Sequence, residues 1–206
     1  MMPQRLRLAH LAITLAAAIA VACGGDQALL VTPRPGNAPP LGVVADPNGA
    51  SIHPVHREQP LAGDEAWSFD VGPEGTTVHY PSVGLTITVP PGAVDATTRI
   101  TCIALHGGPL AYRFEPHGLQ FAQPVQLAQS LRGLRLGKAS LGMPPLIAGY
   151  FADDSLVTDA TTGDARALEI LPVQIDVRGH NAVVSIRHFS GYTVASAERD
   201  SVDAPR

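Results

Sequence analysis

The chain has 206 residues, of which 45% are apolar, and it carries a formal net charge of −4. Its 20 glycines and 19 prolines break the chain too often for long helices, so the composition predicts short strands and turns around one core. Two of its 14 basic residues lie in residues 1–22, which contain no acid, so the remaining chain has 12 basic against 18 acidic residues. That charge of −6 argues against a nucleic-acid partner, which requires clustered Lys and Arg.

The N-terminal segment has the organisation of a secretory signal peptide. Arg5 and Arg7 form a basic start, residues 11–22 are apolar, and small residues precede Cys23. The apolar run is shorter than the ~20 residues that a helix needs to cross a bilayer, and Gly24 follows the cysteine. The segment therefore predicts export, with residues 1–22 as the signal peptide, rather than a membrane-spanning helix.

The residues around the expected cleavage point are Ala20-Val21-Ala22-Cys23, and they resemble the lipobox of bacterial lipoproteins, with Ala20 where Leu is usual. The resemblance implies a lipidated Cys23 that carries a diacylglycerol on its thiol and an acyl chain on its freed amine. Each buried methylene of such chains contributes about 0.8 kcal/mol. We therefore expect a lipid-anchored protein of the bacterial cell envelope, and Gly24 favours the outer membrane. The alternative is an ordinary signal peptide that ends by chance in a cysteine.

Residues 23–65 are predicted to be a Pro/Gly-rich, disordered tether. Seven prolines lie between residues 27 and 63, and proline removes backbone donors and favours extended chain. His53 and His56 in this segment are an imidazole pair that could bind zinc or copper. No third ligand is near in sequence, and Pro54 prevents both from being presented on a regular helix, so solvated loop residues and no metal are expected.

From Trp67 onward, short alternating runs predict an all-β domain. Leu85, Ile87 and Val89 alternate with threonines, which places them on one face of a strand that ends at Pro90. Further strands are predicted at residues 99–105, 112–114, 125–127, 146–151, 168–177, 182–187 and 191–195. About eight short strands indicate a single antiparallel β-sandwich over 66–197, with an irregular crossover at 130–145 and a disordered tail at 198–206.

Two further sets of residues were candidates for chemistry. Cys102 lies in an apolar run, and a lipidated Cys23 leaves it without a disulfide partner, so it is expected to be a buried packing residue. Four acidic residues near one predicted turn could bind calcium, but they lack the spacing and closing glutamate of the twelve-residue calcium loop. A solvated hairpin tip is the simpler interpretation, and no cofactor is expected. The four residues are Asp153, Asp154, Asp159 and Asp164.

Four segments of the predicted sandwich resemble the zonula-occludens/Unc-five (ZU-five) type domain: residues 84–94 (GLTITVPPGAV), 98–100 (TRI), 114–121 (FEPHGLQF) and 124–127 (PVQL). The resemblance extends over about residues 67–197. It implies a β-sandwich that mediates protein contacts, as in ankyrins, netrin receptors and many bacterial surface proteins. Gly92 and Gly118, in the two Pro-Gly turns, are expected to adopt backbone conformations that side chains disfavour. The nearby prolines are expected to end strands: Pro90, Pro91, Pro116 and Pro124.

The sequence His188-Phe189-Ser190 resembles the site at which some eukaryotic relatives of that family cut their own chain. The resemblance implies that Ser190 Oγ attacks the carbonyl of Phe189 to form an ester that water hydrolyses, with His188 as the general base. The alternative is structural. Residues 182–189 then form the penultimate strand, Phe189 fills the core, and Ser190 begins a bend.

The sequence therefore predicts a lipid-anchored envelope protein whose β-sandwich is a non-catalytic interaction or structural module, with the membrane and an unidentified protein as partners. A domain that cleaves itself between Phe189 and Ser190 is one alternative. A metal- or calcium-binding envelope protein is another.

Overall fold

The computed structural model describes residues 49–136, 145–152 and 158–196, and the fold within these ranges is all-β. Every strand pair in it is antiparallel, and the ranges contain no helix, hence none that could span a bilayer. The predicted antiparallel β-sandwich is confirmed. The predicted signal peptide, Cys23 and the tail at 198–206 lie outside the described residues.

The described ranges contain sixteen strands, which differ widely in length. In chain order they are β1 (Ala50–Pro54), β2 (His56–Leu61), β3 (Glu65–Val71), β4 (Thr76–Tyr80), β5 (Leu85–Val89), β6 (Thr98–Ala104), β7 (Gly107–Pro109), β8 (Ala111–Glu115), β9 (Gln120–Ser130), β10 (Leu134–Arg135), β11 (Leu146–Phe151), β12 (Ala165–Ala167), β13 (Glu169–Pro172), β14 (Gln174–Asp176), β15 (Asn181–His188) and β16 (Gly191–Ser196).

The strands form two main sheets and one small sheet. The first sheet has the order β12-β1-β16-β8-β6-β3, with β11 pairing with β16 and β13 pairing with β11. The second sheet has the order β14-β15-β9-β5-β4, and the small sheet has the order β10-β2-β7. Buried apolar residues from both main sheets belong to one core cluster, as expected for two sheets packed face to face.

The core contains the apolar faces that the alternating sequence predicts. Leu85, Ile87 and Val89 of β5 are each at most 2% exposed, while the threonines between them are half-buried. Successive side chains of a strand point to opposite faces, so this alternation places every second residue in the core. Cys102 is also fully buried in this cluster, which confirms its predicted packing role, and burial raises the pKa of its thiol.

Part of the predicted tether is sheet. Residues 50–61 form β1 and β2, because Ile52 and Val55 are buried and β1 pairs with both β12 and β16. Pro54 and Pro60 stand at or near strand ends, where a missing N–H is tolerated. The prediction of a disordered tether is therefore wrong for residues 50–61, and residues 23–48 lie outside the described residues.

Three further segments differ from the sequence predictions. Pro124 does not end a strand but lies within β9, in the stretch where the pairing with β15 shifts register. The strand predicted at 168–177 is divided, because β13 pairs in the first sheet and β14 in the second, so the chain changes sheet between them. The predicted crossover at 130–145 contains the short strand β10, and residues 137–144 lie outside the described residues.

Candidate functional site

Phe189 and Ser190 lie where the chain passes from the second sheet to the first. Strand β15 ends at His188 and β16 begins at Gly191, so the two residues form the connection. The turn at residues 116–119 makes the reverse passage, from β8 in the first sheet to β9 in the second. The two connections lie against each other, because three backbone hydrogen bonds join their surroundings.

Phe189 fills the core, as the structural interpretation of the sequence predicts. Its side chain is 0% exposed, and its ring stacks on Phe114 with 4.8 Å between the ring centroids. Phe121 packs against the same ring edge-on, at 4.6 Å between centroids. Such aromatic pairs stabilise a fold beyond the area that they bury, so the phenyl ring fixes the position of the connection.

The backbone of the connection is held by hydrogen bonds on both sides. Phe189 N donates to Leu119 O at 2.8 Å, and Gly118 N donates to Phe189 O at 2.8 Å. Phe114 N donates to Ser190 O at 3.0 Å. Gly118 has a φ of 77°, a conformation that most side chains disfavour, which confirms the role predicted for this glycine.

The Ser190 hydroxyl contacts a histidine that sequence reasoning did not assign to it. Ser190 is 1% exposed, and its Oγ lies 3.2 Å from Nε2 of His117. The same Nε2 lies 3.3 Å from the carbonyl oxygen of Ala152. If Nε2 carries the proton, it donates to this carbonyl, and only the other tautomer leaves Nε2 free to accept a proton from Ser190.

His188, the predicted general base, is directed away from Ser190. Its Nε2 lies 3.3 Å from Glu169 Oε2, and its Nδ1 lies 3.2 Å from the hydroxyl of Tyr192. The reason is the register shift between Ile186 and His188: after it Phe189, and not His188, continues the buried face of Ile186, so His188 takes the opposite face. The hydroxyl hydrogen bond that the structure gives to Ser190 is made by His117 and not by His188.

The turn at 116–119 thus supplies two groups at the Phe189–Ser190 peptide bond. Gly118 N–H reaches the carbonyl oxygen on which charge would develop if Ser190 Oγ attacked, and His117 Nε2 reaches the hydroxyl. The sequence predicts the turn that contains His117 and Gly118. It does not reveal the contact, because His117 and Ser190 are 73 positions apart and only the two sheet crossings bring them together.

The two histidines of the predicted tether are half-buried strand residues rather than solvated loop residues. His53 Nδ1 pairs with Asp164 Oδ1 at 3.0 Å, and Ser51 Oγ donates to Asp164 Oδ2 at 3.1 Å. His56 lies in β2, where burial lowers the pKa of its imidazole, assisted by the nearby positive charges of His53 and Arg135.

The described acidic residues near the predicted hairpin tip serve the local fold. Asp159 Oδ1 accepts the backbone N–H groups of Thr161 and Thr162, at 2.7 and 2.9 Å, and these bonds lower the pKa of Asp159. Asp164 forms its side-chain contacts with Ser51 and His53 of β1. Asp153 and Asp154 lie outside the described residues, and within those residues no three His, Cys, Asp or Glu side chains are grouped as metal ligands would be.

Comparison with models of known protein families finds none that matches the chain, and no curated protein matches it. The resemblance to the ZU-five type domain therefore stays a prediction from four short segments. The β-sandwich that it implies is present, but a shared sandwich architecture is compatible with many functions.

Proposed function

We propose that the protein is a lipid-anchored envelope protein whose β-sandwich is a non-catalytic interaction or structural module. The observation that carries this proposal is the order of residues at the N-terminus: a basic start, an apolar run at 11–22 and small residues directly before Cys23. The sandwich behind it would be held at a membrane surface by several acyl chains, with the outer membrane favoured by Gly24.

Structural roles account for the residues of the described part that could have suggested chemistry. Phe189 packs between Phe114 and Phe121, and the Ser190 hydroxyl ties the connection between β15 and β16 to the neighbouring turn. Cys102 is fully buried and its thiol pKa is raised, which disfavours the nucleophilic thiolate. These features support a sandwich that presents surfaces rather than one that performs a reaction.

The anchor is tested by labelling cells with a palmitate analogue and comparing the native chain with Cys23→Ser. We expect the serine variant to lose the label and to leave the membrane fraction. The matched control is Cys102→Ala, which removes the chain's other cysteine and should keep both properties. Equal labelling of native chain and Cys23→Ser would refute the anchor, and density-gradient separation of the membranes tests the outer-membrane assignment.

A second candidate function, self-cleavage, is favoured by the groups around the Phe189–Ser190 peptide bond. Cleavage would proceed by attack of Ser190 Oγ on the Phe189 carbonyl carbon. The carbon–nitrogen bond would break as Ser190 N takes up a proton, and water would then hydrolyse the ester. Gly118 N–H, 2.8 Å from the carbonyl oxygen, would stabilise the oxyanion, and His117 would accept the hydroxyl proton.

Intact mass measurement of the purified chain tests this second function. Self-cleavage requires a fragment that begins at Ser190, and Ser190→Ala would abolish it. His117→Gln and His188→Gln then separate the two candidate bases. Only the loss of the base that contacts the Ser190 hydroxyl should slow the cleavage severely. An intact mass after prolonged incubation, with no such fragment, would eliminate the function.

A further inference from the structure

A buried cation lies in the small sheet, away from the Phe189–Ser190 connection. Arg57 of β2 is only 6% exposed. Its Nη1 donates to the carbonyl oxygens of Leu105, at 3.2 Å, and of Pro109. The centre of the guanidinium stands 5.8 Å from the ring centroid of Tyr112, within the range of a cation–π contact.

These contacts leave the guanidinium incompletely satisfied. Its Nε and Nη2 atoms are buried and have no hydrogen-bond partner, and among the described carboxylates none forms an ion pair with it. Moving a charged group out of water costs several kcal/mol unless an opposite charge or hydrogen bonds compensate. Two carbonyls and one ring compensate in part, so the environment of Arg57 favours an additional anion.

Arg57 also lines a cavity of about 350 Å³. This volume lies in the range of pockets that hold small organic molecules. The charged side chains at the cavity belong to Arg57, Arg132 and Glu58, which give it one excess positive charge. The apolar residues Leu61, Val83 and Leu134 are also among the residues that line it.

We propose that this cavity binds a small organic acid through its carboxylate, with Arg57 as the principal cation. A guanidinium presents parallel N–H groups that match the two oxygens of a carboxylate. Nε and Nη2 are covered by protein. Binding would therefore require the guanidinium to turn toward the cavity and to exchange its hydrogen bonds with Leu105 and Pro109 for those with the carboxylate. One excess positive charge fits a monoanion, and a doubly charged phosphate would be repelled by Glu58.

The aliphatic part of the acid would contact the apolar lining of the cavity. A short chain of a few carbons fits this arrangement better than a compact inorganic anion, because it can bury methylene groups against Leu61 and Leu134. The ligand class is therefore a short-chain monocarboxylate, or a larger molecule that presents such a group.

The test is an NMR titration of the purified full chain, labelled with ¹⁵N and observed at the Arg57 Nε–H resonance. Sodium butyrate is the probe, with sodium chloride at equal ionic strength as the reference. Butyrate is expected to shift this resonance saturably with a Kd on the order of 1 mM, and chloride is not. No saturable shift up to about fifty times that concentration, or an equal shift with chloride, would overturn the proposal.

Variants locate the binding within the chain. Arg57→Met should abolish the saturable response of the neighbouring amide resonances, and Arg132→Gln, at an exposed position that does not endanger folding, should weaken binding about two- to fivefold. Arg99→Gln is the matched control, because that arginine is exposed and faces Asp70 on the first sheet. Unchanged affinity in Arg132→Gln, or tighter binding of inorganic phosphate than of butyrate, would contradict the assigned site and charge.

Discussion

Two buried regions of this sandwich are built on different physical principles. The aromatic end consists of Phe114, Phe121 and Phe189, which are at most 5% exposed and pack ring against ring. The polar core consists of Arg57, Tyr112 and Gln129, which are equally buried but held by hydrogen bonds and charge. Burial alone therefore does not distinguish them, and the difference lies in what each side chain requires from its neighbours.

The residues of the polar core differ in how many of their polar atoms have hydrogen-bond partners. Gln129 Nε2 donates to the carbonyls of Val83 and Ser130, both at 3.0 Å, and its Oε1 accepts the Tyr112 hydroxyl at 2.6 Å. Burial raises the pKa of Tyr112, and the positive charge of Arg57 acts in the opposite direction. The amide of Gln129 thus has hydrogen-bond partners at both its nitrogen and its oxygen, whereas two nitrogens of Arg57 have none. This difference distinguishes a structural polar residue from the proposed ligand-binding residue.

The largest expected effect tests the aromatic end. Phe189→Ala should destabilise the fold by roughly 3–5 kcal/mol, because it removes a fully buried ring and leaves a cavity between two others. The free energy of unfolding is measured by urea denaturation. Phe69→Ala is the matched control, since Phe69 is only half-buried on the edge strand β3 and should cost much less. Equal losses in both variants would remove the distinction between this cluster and the sheet edge.

The next effect tests the satisfied part of the polar core. Gln129→Leu keeps the volume but removes the hydrogen bonds of Gln129 to the Tyr112 hydroxyl and to the carbonyls of Val83 and Ser130, and leaves the hydroxyl only its 3.4 Å contact with Val83 O, so it should cost about 1–3 kcal/mol. Combining it with Tyr112→Phe should cost less than the sum of the single changes, because the two side chains share one hydrogen bond and the second change removes the poorly satisfied hydroxyl. Strict additivity in urea denaturation would show that the two side chains do not act together.

Sequence alone predicted the aromatic end better than the polar core. Phe189 is a large apolar residue at the end of an alternating run, and this favours burial, although strict alternation from Val184 and Ile186 would place it outward and the register shift after Ile186 turns it into the core. Arg57 and Gln129 carry no such signal, because a polar residue is buried only if particular carbonyls from distant strands meet it. The prolines of β1 and β2 predict a tether, and this prediction is wrong. The pairing of these strands with β12, β16, β7 and β10 is not visible in the composition.

The candidate site was predicted only in part for the same reason. The residues Phe189 and Ser190 and the turn at 116–119 were identified from sequence, and the core position of Phe189 was foreseen as an alternative. The contact between His117 and Ser190 was not foreseen, because it depends on two sheet crossings that meet at one end of the sandwich. The sequence favours His188, the neighbour along the chain, whereas His117, the neighbour in space, contacts the hydroxyl.

A smaller effect measures what the Ser190 hydroxyl contributes to the aromatic end. Ser190→Ala should cost about 1 kcal/mol or less, because it removes one hydrogen bond to the exposed His117 while the backbone hydrogen bonds around it persist. Thermal and urea unfolding measure the loss, and His117→Gln is the partner variant. A loss above about 2 kcal/mol would place the hydroxyl among the main stabilising groups of this end and contradict its secondary role.

The smallest effect is a pH dependence that arises at His56, the neighbour of Arg57 in β2. Burial, followed by the positive charges of His53 and Arg135, lowers the pKa of His56 from its ordinary 6.5, so the folded chain binds this proton less readily than the unfolded chain. Stability from the neutral imidazole is therefore fully present above about pH 6.5 and declines as the pH falls below it. His56→Gln should reduce the difference between urea unfolding at about pH 8 and at about pH 5.5. Phe189→Ala should leave that difference unchanged, because it removes a side chain that carries no proton, and an unaltered pH difference in His56→Gln would refute the assignment.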